Sequence, residues 1–181
     1  MNTVQPIRDK EKLELIKLYF KERNERDYVM FMVGIYTGLR IYDILKLKIK
    51  DVSGTHIIMR EKKTKKEKRI IIIPELKRAL RSYIRERGPE EFLLKSQKGK
   101  NRPIGRSAAY RILNKAAREF NLSEIGTHTM RKTFGYHFYH QSKDVSVLMK
   151  LFNHSDQKVT LRYIGVEQDT LDNAMMKFKY N

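Results

Sequence analysis

Apolar positions first recur at a helical spacing. Leu13, Ile16 and Phe20 fall three and four apart within Asp9–Asn24, which predicts an amphipathic helix. Glu25–Thr37 is more uniformly apolar and predicts a second, buried helix. Gly38 ends it, because glycine tolerates the left-handed conformation at a helix C-terminus. Arg40–Leu47 predicts a short third helix. The pattern then changes. Ile49–Val52, His56–Met59 and Arg69–Ile73 are rich in β-branched residues and predict three strands, with Ser53-Gly54 as a turn and Pro74 as a stop. Helical spacing returns over Glu75–Arg87, where Leu76, Leu80 and Ile84 share a stripe that Gly88-Pro89 closes. Phe92–Leu94 predicts a short buried strand, and Lys95–Arg106 a polar, basic loop. Ser107–Phe120 predicts a helix, with a break at Gly126. Thr127, Asp144 and Ser155 then stand as N-caps before a helix to Gln141, the run VSVLMKLF and the run DQKVTLRY. The tail, Asp169–Lys179, carries Leu171, Met175 and Phe178 on one helical face. The expected fold is mainly α with a small three-stranded antiparallel β-sheet, an α+β arrangement.

Composition narrows the class. The chain has 181 residues, 40% of them hydrophobic, with four prolines, nine glycines and no internal repeat. That is one compact unit with a real core rather than a disordered chain. Lys and Arg number 39 against 21 Asp and Glu, a net charge of +18, and the sequence pI is about 10.0. Such an excess asks for an anionic partner, nucleic acid first and an anionic membrane surface second. Solubility or ribosome-like packaging is the plainer explanation. The longest apolar stretch, Val29–Tyr36, is far short of the ~18 residues that would span a bilayer. The N-terminal MNTVQPIRDKEK lacks the apolar region of a secretory signal, so the expected location is cytoplasmic. The absence of cysteine excludes disulfides, Cys-ligated zinc and thiol catalysis.

Several groups of residues carry candidate chemistry, and each alone has an ordinary reading. His128 and Arg131 in THTMR lie three apart on a predicted helix and share a face. An Arg fork suits phosphate oxygens and a His can take or give a proton, but such pairs also arise by chance on surfaces. Arg40 opens a helix after Thr37-Gly38-Leu39, a good anion position, or is simply solvated. Asp43, one turn later, can orient that guanidinium or form a surface pair worth ~0.3–0.5 kcal/mol. Arg60–Arg69 holds seven basic and two acidic residues between predicted strands, which fits a hairpin tip beside a phosphate backbone or a solvated turn. Tyr163 follows His154 by nine residues and precedes Gly165 by two, at the end of a predicted helix. His137 and His140, with His128, do not make a metal site: 128 and 137 share a face poorly and no acidic ligands cluster with them.

In order, these pieces resemble the catalytic domain of the tyrosine recombinase (phage integrase) family. The matching elements are TGLRIYDIL at 37–45, Lys63-Thr64 on the basic hairpin, HTMR at 128–131, NH at 153–154 and Tyr163. The resemblance runs from about residue 5 to 170. Three positions depart from the usual pattern: Asn153 stands where glycine is usual, Phe152 where leucine is common, and Asp43 where glutamate is frequent. Asn is the next best residue for a left-handed backbone, so the turn survives. The family commonly carries an additional N-terminal helical domain that clamps DNA. With its arginine already at position 40, the chain is expected to be a single catalytic domain over 1–181, without that core-binding domain, either as an excised domain or as a naturally short member.

The resemblance implies site-specific DNA recombination for integration, excision or inversion, by a metal-independent transesterification without a cofactor. Tyr163 would be the nucleophile. Arg40, Arg131 and His154 would hold the phosphate, and His128 would take the tyrosine proton. Lys63 would protonate the leaving 5′-oxygen, with Lys62, Lys65 or Lys66 in its place if the hairpin register differs, and Asp43 would support the group. Arg60, Lys62, Lys65, Lys66, Lys98, Lys100, Arg102 and Arg106 are expected to follow the DNA backbone. The partners implied are double-stranded DNA and copies of this chain, a monomer when free and a tetramer on DNA, with no membrane. The tail helix would dock on a neighbouring protomer or on its own domain. A DNA-binding regulator descended from a recombinase, without catalysis, is the alternative. A type IB topoisomerase would need a clamp that this length does not supply.

Overall fold

The computed structural model describes residues 4–60, 67–123 and 125–179. Helix α1 (Lys10–Arg23) starts where the Asp9 carboxylate accepts the backbone N–H groups of Glu11 and Lys12. Helix α2 (Glu25–Thr37) starts at Asn24, whose side chain accepts the Asp27 N–H, and ends at Gly38 with φ +62°. Its residues Val29–Ile35 are all buried, and it packs against α1, α5 (Pro74–Ile84) and α7 (Thr129–Ser142). A helix apolar all round belongs in the centre, and that is where the fold puts it.

The sheet is smaller than the three strands expected from sequence. Among the described residues it has two: β1 (His56–Arg60) and β2 (Glu67–Ile71), antiparallel, with Ile57 opposite Ile70 on the buried face. Ile49–Val52, expected as a strand, forms a one-turn helix, α4, after the short α3 (Ile41–Ile44). Local hydrogen bonds override the β-branched preference. The Asp51 carboxylate accepts the Lys48 N–H at 2.8 Å, and the Ser53 hydroxyl donates to the Ile49 carbonyl at 2.6 Å. The N–H groups of Ile49 and Lys50 reach the carbonyls of Glu91 and Pro89. One turn points Ile49 and Val52 into the core together, which a strand with side chains alternating between faces would not do. Phe92–Leu94 contributes one isolated bridge, Lys48 to Phe92, rather than a strand.

The C-terminal half is helical: α6 (Arg106–Glu119), α7, α8 (Val145–Phe152), α9 (Gln157–Ile164) and α10 (Val166–Lys177). Asp144 caps α8 as expected. Elsewhere the boundaries move by a few residues. His128, not Thr127, occupies the N-cap of α7; Asp156, not Ser155, caps α9 by accepting the Val159 N–H; and α10 begins at Val166 rather than 169. Leu148, Phe152 and Ile164 form a second small core between α7, α8 and α9. Gly135 allows that closeness. A Cβ there would stand 2.6 Å from Ile164 Cγ2 and 2.8 Å from Phe152 Cζ.

Gly135→Ala should therefore destabilise the fold. The helix-propensity gain of at most ~1 kcal/mol is smaller than the overpacking cost of about 1–3 kcal/mol. Thermal melts are expected to show a Tm lower by about 2–8 °C, at about 2–4 °C per kcal/mol for a chain this size. An unchanged or higher Tm would contradict the packing described.

Candidate active site

The first turn of α7 carries His128, Arg131 and Lys132 and no acidic residue. The N-terminus of a helix already bears partial positive charge, so this turn is unusually short of negative charge. Arg131 is only 2% exposed. Its guanidinium donates to the carbonyl of Gly38, at the end of α2, and to that of Phe152, at the end of α8, the latter at 3.0 Å. Its central carbon lies 4.0 Å above the Phe152 ring. The left-handed Gly38 is needed for this approach, since a Cβ there would meet Phe134 at 2.5 Å and Phe152 at 2.9 Å. Two residues on, Arg40 caps α3, and its carbonyl accepts the N–H groups of Asp43 and Ile44. Asp43 is buried.

The α8–α9 turn supplies the opposite wall. Asn153 takes the left-handed conformation at φ +53°, and the His154 N–H reaches back to the Met149 carbonyl at 2.9 Å. His154 Nδ1 lies 3.1 Å from Thr160 Oγ1. The Thr160 hydroxyl gives its proton to the Asp156 carbonyl, so His154 Nδ1 is the donor in this pair. The Tyr163 ring stands edge-on to Phe152, with centroids 5.7 Å apart, and to His154, at 5.4 Å. The Tyr163 hydroxyl is 3.3 Å from His128 Nδ1. Gly165, at φ +84°, ends α9 two residues later.

The charges are arranged to divide the two protonation states. Burial pushes the Tyr163 phenol above the ordinary tyrosine value, while the positive charge and hydrogen bonding of Arg131, and the charge of Arg40, pull it back. The His128 imidazole is held below its ordinary value of 6.5, first by desolvation and then by Arg131, Arg106, Lys132 and Arg40. It is therefore neutral near pH 7 and able to accept a proton.

The structure thus gathers Arg40, His128, Arg131, His154 and Tyr163 from three distant stretches of chain, with Asp43 buried in the turn that Arg40 caps. Lys63, with Thr64, Lys62, Lys65 and Lys66, lies outside the described residues. Just beyond them, Lys68 on β2 donates to the Leu151 carbonyl near the end of α8, which ties the base of the hairpin to the site. Of the expected DNA-contacting residues, Arg106 starts α6 and lines a cavity with His128. Arg60 ends β1, exposed, while Lys98, Lys100 and Arg102 stay exposed on a loop closed by the Ser96 N–H to Arg102 carbonyl bond. Phe152, Thr160, Lys132 and the Gly38 carbonyl were not singled out from the sequence as site components. Lys132, four residues after His128, is the one whose spacing offered a signal. Among the described residues no three His, Asp or Glu side chains could together hold a metal ion, and none of the helices is long and apolar enough to cross a membrane.

His137 and His140, like His128, are pushed below 6.5, chiefly by burial. The folded chain then holds fewer protons than the unfolded one just below that value, so stability rises with pH. Urea midpoints are expected to hold steady above about pH 7 and to fall as pH drops below 6.5. His128→Gln should flatten part of that slope, and a slope unchanged in this variant would contradict the described environment.

The family profile described as Phage integrase family matches residues 7–169. The chain is 46% identical over 179 residues to a protein named probable integrase/recombinase YoeC from Bacillus subtilis (strain 168), covering 98% of each. It is 29% identical over 161 residues to a tyrosine recombinase of Pseudothermotoga lettingae, covering 86% of this chain and 55% of that one. Among solved structures, a XerA recombinase superposes with a TM-score of 0.76 at 20% identity over 97% of this chain and 65% of its own. A XerH recombinase bound to its palindromic difH substrate after cleavage superposes with a TM-score of 0.73 at 18% identity, over 97% and 54%. The chain spans nearly all of the Bacillus subtilis relative but only about half to two thirds of the others. With a profile match over nearly the whole chain and a relative this similar along its full length, the chain belongs to the phage integrase family.

Proposed function

We propose that this chain is a tyrosine-type site-specific DNA recombinase that cuts and rejoins DNA through Tyr163, for integration, excision or inversion of a DNA segment. The observation that carries the reading is the Tyr163 hydroxyl 3.3 Å from a neutral His128, beside Arg131 and Arg40, in a turn without acid. Such a pocket is complementary to a phosphodiester.

The Tyr163 oxygen attacks phosphorus and its proton passes to His128 Nδ1. A phenol with a free pKa of ~10 is a poor nucleophile at neutral pH, so a positioned base matters. The bond from phosphorus to the 5′-oxygen breaks, leaving a 3′-phosphotyrosine and a 5′-hydroxyl. Lys63 delivers the proton to that leaving oxygen from the hairpin. The ester link conserves the bond energy, and attack by another 5′-hydroxyl reverses the step. Charge builds on the two non-bridging oxygens. Arg40 and Arg131 meet it with planar forks that a lysine cannot imitate, and His154, with both ring nitrogens protonated, adds a hydrogen bond from Nε2. The carbonyls of Gly38 and Phe152 fix two donors of Arg131 and so aim the others. Asp43 supports Arg40 from the buried side of α3.

Arg60, Lys62, Lys65, Lys66, Lys98, Lys100, Arg102 and Arg106 follow the duplex backbone around the scissile phosphate, so binding weakens steeply with salt. The chain acts as a monomer when free and as a tetramer on DNA. In support, the tail helix α10 buries none of its residues and exposes Leu171, Met175 and Met176, with Phe178 just beyond, a face suited to a neighbouring protomer.

A nicked duplex that traps the cleaved state tests the reading. The parent chain should form a covalent protein–DNA adduct that survives denaturation. Tyr163→Phe should form none while still retarding DNA in a gel, and Arg131→Lys should cleave about 10²–10³-fold more slowly. Adduct formation by Tyr163→Phe, or DNA binding without any adduct from the parent, would overturn it.

A further inference from the structure

We propose that Lys132 is a positioning residue for the nucleophile: its ammonium, set against the face of the Tyr163 ring, holds that ring in place and favours its ionised form. The inference rests on the reading of Tyr163 as the attacking group and adds a residue to it. Lys132 Nζ lies 5.2 Å from the Tyr163 ring centroid. The residue is only 8% exposed, where lysine is rarely found without a partner. Among the described residues no carboxylate pairs with it.

Its neighbours deepen the puzzle of its burial. On α7 itself the flanking groups are Arg131, His128 one turn before and Tyr136 one turn after. From the N-terminal segment comes Arg8, whose charge is already bound by Asp169 of α10 at 3.0 Å. The first turn of a helix also disfavours a cation. Burial and Arg8 accordingly lower the Lys132 pKa. An electron-rich surface beside its ammonium is the face of Tyr163.

That contact is worth more to the reaction than to the resting fold. A cation over an aromatic face is held by the negative charge of the π cloud. A phenolate ring is richer in electrons than a phenol, so the attraction grows as the Tyr163 proton leaves for His128. It declines again once the oxygen is esterified to phosphorus. Lys132 keeps its own proton throughout and touches no reacting atom. An interaction that strengthens on the way to attack accelerates the step, whereas a uniform one does not.

Two variants separate charge from bulk: Lys132→Met keeps the length and apolar stem, and Lys132→Arg keeps the charge. Adduct formation on the nicked duplex is followed from about pH 6 to about pH 9.5, with thermal melts to establish folding. Lys132→Met should be about tenfold slower across this range, because the Tyr163 phenol, held above its ordinary value, stays mostly protonated throughout it in both proteins. Lys132→Arg should keep the parent profile. A second readout needs no DNA. With 3-fluorotyrosine incorporated throughout, the Tyr163 resonance is assigned as the one missing from Tyr163→Phe, and its fluorine shift is titrated. The midpoint should rise in Lys132→Met and not in Lys132→Arg. If Lys132→Met does not fold, Lys132→Gln takes its place. An unchanged rate in Lys132→Met, an equal loss of rate in Lys132→Arg, or an unmoved Tyr163 midpoint would overturn the proposal. An unreactive parent would sink the recombinase reading instead and leave the titration to decide about Lys132.

Discussion

The Arg131 guanidinium is the point where α2, α7 and α8 are joined. It is buried, it donates to carbonyls at the ends of two other helices, and it stacks on Phe152. Those carbonyls belong to the negative poles of α2 and α8, which suits a cation that has lost its water. Removing one partner from a buried, hydrogen-bonded charge strands the other, at a cost of several kcal/mol. Many local features of the chain serve this join. Gly38 lets the α2 carbonyl approach, Gly135 lets α8 and α9 close on α7, and Asn153 turns the chain so that His154 faces Tyr163. Phe152 has a use that the leucine common at this position would not match. One aromatic face carries Arg131, while Tyr163 and His154 meet the same ring edge-on.

The same join sets a conflict between stability and function. Arg131, Lys132, His128 and Arg40 converge at a helix N-terminus without acid nearby on that turn, and like charges held together cost free energy. The fold answers part of the cost by keeping His128 neutral and part with aromatic rings. The remainder is left for an anion to settle. This is the usual signature of a site built for a charge that arrives with the substrate.

Legibility in the sequence followed the range of the interaction. The cap at Asp144 and the stop at Gly38 involve groups a few residues apart, and each is readable from residue type and spacing. The strand expected at Ile49–Val52 failed because two β-branched residues flanking Lys50 and Asp51 say only that Ile49 and Val52 are buried. The helix there depends on the Asp51 carboxylate and on carbonyls of Glu91 and Pro89, some 40 residues away. The ordered set of Arg40, His128, Arg131, His154 and Tyr163 was visible because family chemistry keeps residue types and order. Lys132 was not, because a lysine on a helix reads as solvated until its neighbours are known.

The chain's own pattern thus decides which segments are helical, where most of them start and stop, which side chains are able to do chemistry, and that the partner is an anion. These follow from dihedral preference, periodicity and charge, all of which act over one or two turns. Tertiary packing alone decides that the Tyr163 oxygen meets His128 Nδ1 across 35 positions, that Arg131 loses its water, and that Lys132 comes to lie beside the Tyr163 ring. Those depend on the distance and dielectric between segments far apart in the chain, which local preference does not encode.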